Sequence, residues 1–145
     1  MKKLILLFFF AVYSYAITPY SLENIKELNI KFINKKDVIP KVLEEKITKE
    51  VKDKLESLGI KTTSDKYVYL KMTVKITNFD KIKFVRTSLV LQEDVKLQRD
   101  ENFEAMAVTY QKNDEFELED LEVDIYESFI KYLLDDFIEQ YKSEN

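Results

Sequence analysis

The chain is expected to form an α+β fold: a two-layer sandwich with element order β-α-β-β-β-α, in which a four-stranded, mainly antiparallel sheet carries two helices on one face. Three observations point there. Residues 39–58 and 121–138 repeat apolar side chains at spacings of three and four, the helical period. Residues 67–77 and 84–97 alternate apolar and polar at a period of two, and 104–111 follow as a shorter extended stretch. Leu28, Ile30 and Phe32 alternate in the same way before the first helical segment, which supplies the fourth strand.

The first sixteen residues, MKKLILLFFFAVYSYA, read as an export signal rather than as part of the fold. Lys2 and Lys3 precede an apolar stretch from Leu4 to Val12, and Ser14 and Ala16 place small residues three and one positions before a cleavage site. The apolar run ends well short of the roughly 20 residues a membrane-spanning helix needs. Cleavage after Ala16 is therefore expected, with the mature chain starting at Ile17, periplasmic or secreted and without a stable membrane anchor. Residues 17–26 read as an N-terminal arm, in which Pro19 disfavours regular structure, and 27–145 as a single α+β domain.

Within that domain, Asp37 is a candidate N-cap and Pro40 falls in the first turn of the helix that follows. Ile39, Leu43, Ile47, Val51, Leu55 and Leu58 share one helix face, with Glu45–Lys49 and Glu50–Lys54 as i,i+4 pairs on the other. Gly59, the one glycine of the chain, stands where a left-handed residue closes a helix, with Ile60 positioned for the apolar contact that accompanies such an ending. The strand Tyr67–Thr77 points Val68, Leu70, Met72, Val74 and Ile76 one way, and Tyr67, Tyr69, Lys71, Thr73, Lys75 and Thr77 the other. Residues 78–83 connect it to a partner strand, Phe84–Gln98, whose apolar face is interrupted at Glu93, as a bulge or strand end would explain. Asp100–Asn102 reads as a turn. In the next strand, Glu104–Gln111, the sets Met106, Val108, Tyr110 and Ala105, Ala107, Thr109 compete for the inner face. A closing helix from about Glu119 to Tyr141 carries two i+4 rows, one from Leu121 to Phe137 and one from Tyr126 to Ile138, forming a broad apolar stripe.

Composition excludes more than it suggests. The chain has no histidine and no cysteine, which removes the usual general base, the thiol nucleophile and the neutral metal ligands. No serine sits in a G-x-S-x-G context, and a single capping glycine cannot form a phosphate-cradling loop. An enzyme is not expected, and neither a cofactor nor a metal is called for. The net charge of −4 becomes −6 once Lys2 and Lys3 are removed, which argues against nucleic acid as a partner. Among the basic residues only Arg86 and Arg99 offer a guanidinium fork. The acidic run Asp114, Glu115, Glu117, Glu119, Asp120, Glu122, Asp124, Glu127 lacks the glycine of an EF-hand loop and reads as carboxylates favouring the N-terminus of the last helix.

One surface stands out as a candidate interaction face: Tyr67, Tyr69, Lys71 and Lys75 on one strand, with Phe84 and Arg86 on its neighbour. Tyrosine and arginine are enriched at interfaces. An ordinary solvent-facing side of an antiparallel sheet, rich in strand-forming Tyr and Thr, is the competing account.

By size and element order, residues 28–141 resemble the small accessory proteins of Gram-negative envelopes. Those include the lipoprotein subunit of the lipopolysaccharide translocon and the auxiliary lipoproteins of lipid-transport systems. The resemblance is one of topology and carries no motif. Where those proteins have a lipidated cysteine after the signal, this chain has Ala16-Ile17. With the export signal and the lack of catalytic motifs, the expected function is that of an exported, non-catalytic accessory or interaction protein, part of an envelope assembly or transport complex, with an envelope protein or a second copy as partner. The alternative is a periplasmic carrier of a lipid or small apolar ligand.

Overall fold

The computed structural model describes residues 21–145; the leader, the cleavage position after Ala16 and residues 17–20 of the arm lie outside the described residues. The elements are β1 (Asn29–Ile33), a short turn at Lys35–Asp37, α1 (Lys41–Ser57), β2 (Val68–Phe79), β3 (Ile82–Leu97), β4 (Asp100–Glu117), α2 (Leu121–Glu127), a π-helical segment (Ser128–Leu134) and α3 (Asp135–Glu144). The fold is α+β, with one four-stranded mixed sheet in the order β1-β2-β3-β4. β1 runs parallel to β2, and the β2–β3 and β3–β4 pairs are antiparallel.

The closing helix differs from the single α-helix expected, because its middle turn winds as a π-helix. Hydrogen bonding from i to i+5 places Ser128 under Leu133 and Phe129 under Leu134, and all four are buried together with Ile130. The wider turn is what lets so broad an apolar stripe face one way. The start of α1 differs too. Asp37 is not the cap: it sits in the preceding turn with φ 48°, beside Lys36 at φ 66°. Pro40 is the N-cap, its carbonyl accepting from the backbone of Leu43 and Glu44. The Asn34 side chain latches this entry, donating to the Ile39 carbonyl at 3.0 Å and to Glu44 at 3.2 Å. The expected i,i+4 pairs on α1 give way to others: Lys54 reaches Asp135 and Glu50 accepts from the Tyr126 hydroxyl, two contacts that tie α1 to the closing helix.

α1 ends as expected. Gly59 has φ +83°, its N–H bonds to Glu56, and the N–H of Ile60 bonds to Leu55, while Leu55 and Ile60 are both buried. That is the six-to-one and five-to-two pattern of a Schellman ending.

The strands run longer than the alternation alone suggested. β2 and β3 meet in a two-residue turn at Asp80–Lys81, Asp80 taking φ 52°, and β3 and β4 turn at Gln98–Arg99 rather than at 100–102. β4 continues to Glu117, so Asp114, Glu115 and Glu117 are strand residues and only the later acids belong to the helix start. There Asp120 caps α2, accepting from the N–H of Glu122 and Val123 at 3.0 Å each. The irregularity expected near Glu93 lies opposite Leu91 and Gln92, where β4 carries the extra residue Thr109. It reverses the side-chain alternation of β4. Tyr110 is therefore buried on the inner face, while Met106 and Val108 point outward and Ala105 and Ala107 inward.

The core lies between the sheet and the helices. Leu70, Met72 and Val74 of β2, with Val85, Leu89 and Leu91 of β3, pack against Leu43, Ile47, Val51 and Leu55 of α1 and Ile125, Phe129, Leu133 and Phe137 of the closing helix. Phe32 meets Phe129 with ring centroids 5.3 Å apart, and Tyr110 meets Phe137 edge-on at 5.2 Å. The end of the arm is not loose: Leu22 is fully buried, its N–H donating to Glu144 at 2.6 Å, and Asn24 donates to the Asn145 side chain at 2.7 Å.

Candidate functional site

Alternation in β2 and β3 decides which side chains face away from the helices. Outward on β2 are Tyr69, Lys71, Thr73, Lys75, Thr77 and Phe79; outward on β3 are Ile82, Phe84, Arg86, Ser88, Val90 and Gln92. Among the described residues nothing covers this side. Phe79, Ile82 and Phe84 are 67%, 38% and 46% exposed, whereas the inward Val85 beside Phe84 is buried.

The antiparallel register brings the proposed residues together in rows. Lys75 lies opposite Arg86, Thr77 opposite Phe84, Thr73 opposite Ser88, Lys71 opposite Val90 and Tyr69 opposite Gln92. Lys71 bonds to the Gln92 side-chain carbonyl and sits 5.9 Å from the Tyr69 ring centroid. Tyr69, Lys71, Lys75, Phe84 and Arg86 thus share one continuous surface. Tyr67 is exposed but precedes β2, at the end of the face farthest from Phe84.

Four residues of this face escape sequence reasoning. β1 places Lys31 in register with Lys71, so a third strand adds a cation to the face. β4 places Glu115 opposite Arg86, and the Arg86 guanidinium is held by that carboxylate. Phe79 and Ile82 extend the apolar end around Phe84 because the connection is a two-residue turn instead of a loop over 78–83. Lys31 alone carried a signal, as the polar alternate between Ile30 and Phe32.

On the inner face the edge strand β4 is clamped by polar groups. Thr87 and Ser128, both buried, lie 2.5 Å apart through their hydroxyls, and Ser128 donates to Asp114 at 2.7 Å. Since the one Ser128 proton goes to Asp114, the Thr87 hydroxyl is the donor to Ser128. Two residues along, Tyr110 and Lys112 both donate to Asp136, at 3.0 and 2.8 Å. Burial, and then the Asp136 carboxylate, push the Tyr110 phenol well above its ordinary pKa. A serine so enclosed offers no route for a substrate, so the chain of hydroxyls fastens the helix to the sheet edge.

No group of three or more His, Cys, Asp or Glu placed to hold a metal occurs among the described residues. No helix among them is long and apolar enough to cross a membrane. Grooves at the surface are open and lined by charged and apolar residues together, such as the one where Ile25 and Glu27 face Val68, Glu93 and Val108. No protein-family model matches the chain, and no curated protein matches it either.

Proposed function

We propose that this is an exported, non-catalytic accessory protein of the cell envelope that works by contact through the outer face of its sheet. In this reading the helices form one layer of a two-layer sandwich over the inner face, and the other side is left for a partner, an envelope protein or a second copy. The observation that carries it is the asymmetry of the sheet. Its inner face is packed by α1 and the closing helix, while its outer face presents Tyr69, Lys71, Lys75, Phe84 and Arg86 to solvent. Tyr69, Phe84 and Arg86 are of the residue types that protein interfaces select.

The space a carried apolar ligand would occupy, between sheet and helices, is filled by Leu70, Met72, Leu89, Phe129 and Phe137, all essentially inaccessible. The contact reading is therefore the one the packing favours.

A photo-cross-linking residue at Thr73, in the middle of the outer face, is expected to give a discrete adduct in envelope extracts, and one at Lys49 on α1 none. The double variant Tyr69→Ala/Arg86→Ala should leave the melting temperature nearly unchanged and abolish the adduct. An adduct that persists in that variant would sink the proposal.

A further inference from the structure

The outer face breaks a rule of sheet design in two places. Lys31 of β1 stands directly beside Lys71 of β2, and Lys75 of β2 stands directly opposite Arg86 of β3. Neighbouring strands lie only about 4.8 Å apart, and like charges placed directly opposite destabilise a sheet. In a chain with 27 acidic and 23 basic residues, countercharges are plentiful. Elsewhere Lys52, Lys54, Lys66, Lys112 and Lys131 each pair with a carboxylate. Among the described residues Lys31, Lys71 and Lys75 pair with none, and neither do Lys41, Lys49 and Lys142 on other surfaces. Lys31, Lys71 and Lys75, however, are also set directly against other cations, and the partners of Lys71 are neutral.

We infer that the outer face docks an acidic polypeptide segment of a partner protein, whose carboxylates supply the countercharges these three lysines lack. The inference rests on the contact reading above and names the partner's chemistry. Lys71 and Lys75 are four residues apart on one strand, about 13 Å, with the Thr73–Ser88 hydroxyl row between them. An extended segment with carboxylates at i and i+4 spans the same distance, and the hydroxyls meet its backbone. Carboxylate is favoured over phosphate because Arg86, the guanidinium of this face, is already engaged by Glu115, leaving ammonium groups rather than a free fork.

The test uses the protein as isolated from the cell and a fluorescein-labelled twelve-residue polyglutamate peptide, with binding read by anisotropy. Binding at low salt should weaken as salt rises, as for any exposed charge contact. The triple variant Lys31→Glu/Lys71→Glu/Lys75→Glu should lose at least tenfold in affinity. The triple variant Lys41→Glu/Lys49→Glu/Lys142→Glu makes the same change in net charge on other surfaces and should stay within about twofold of the unaltered protein. Equal loss in both triples would overturn the inference, since net charge alone would then explain it. So would binding of phosphatidylglycerol vesicles through these lysines without binding of the peptide. Self-association seen by sedimentation, lost with the lysines and unaccompanied by peptide binding, would also overturn it. A partner cross-linked at Thr73 whose capture survives the outer-face triple would end the acidic-segment inference while leaving the contact reading intact.

Discussion

Replacing Ser128 by alanine separates the work of the buried hydroxyl chain from that of the surrounding packing. Ser128 accepts from Thr87 and donates to Asp114, and both hydroxyl-bearing residues are essentially inaccessible to water. Ser128→Ala leaves the Thr87 hydroxyl buried without a partner, which costs about 1–3 kcal/mol, while the half-buried Asp114 regains water. Thr87→Val removes one donor but leaves the Ser128–Asp114 bond, so about 0.5–1.5 kcal/mol is expected. In the double variant the orphaned hydroxyl no longer exists, so its cost should fall short of the summed single costs by at least about 1 kcal/mol. Urea denaturation of the four proteins measures the cycle, and each kcal/mol should move the thermal midpoint by about 3–5 °C in a domain of this size. Additivity within about 0.3–0.5 kcal/mol would refute the reasoning, because it would mean that Thr87 and Ser128 do not share a bond. The outcome bears on the candidate site as well. Asp114 inside and Glu115 outside are consecutive on β4, so the clamp that holds Asp114 also holds the carboxylate that engages Arg86.

Other substitutions test other parts of the structure. Gly59→Ala should cost about 1–2 kcal/mol by chemical denaturation. A Cβ there meets nothing within 4 Å, so the penalty comes from φ +83° alone, and Gly59→Asn should cost less. An equal loss for alanine and asparagine would point to packing instead. The raised pKa of Tyr110 means the folded state favours the neutral phenol. Its contribution is fully present below the ordinary tyrosine pKa of about 10 and is lost as pH climbs toward the higher folded value. Tyr110→Phe should therefore flatten the fall in stability above pH 10, and an unchanged alkaline profile would contradict this. Glu115→Gln releases Arg86 on an exposed surface, so stability should change by less than about 1 kcal/mol, while the affinity for the polyglutamate peptide should rise. Lys71→Gln should be neutral or stabilising by a few tenths of a kcal/mol through relief of its proximity to Lys31.

Much of the fold is written in local pattern. The helical period over 39–58 and the strand alternation over 67–77 locate α1 and β2 to within a residue or two, and Gly59 with Ile60 marks the end of α1. The same alternation assigns Tyr69, Lys71 and Lys75 to one face and, on the next strand, Phe84 and Arg86 to one face. Illegible features depend on partners distant in sequence. Leu22 and Ile25 are core residues of an irregular segment, with no period to mark them. Met106 and Tyr110 look equivalent by alternation, and the extra residue Thr109 separates them only because it faces Leu91 and Gln92 of another strand.

Taken alone, then, the sequence determined that these segments are helices and strands, the direction the side chains of α1, β2 and β3 take, and the absence of histidine and cysteine. Those properties follow from nearest neighbours along the chain and from composition. Tertiary structure alone decided that Lys31 stands beside Lys71, that Lys75 opposes Arg86 and that Glu115 engages Arg86, because strand register is set by which faces can be buried together. It also decided the π-helical turn and its Thr87–Ser128–Asp114 clamp, since both rest on contacts between the helix and the sheet. The face as a surface is therefore a property of the assembled sheet, while the residues that compose it are properties of the individual strands.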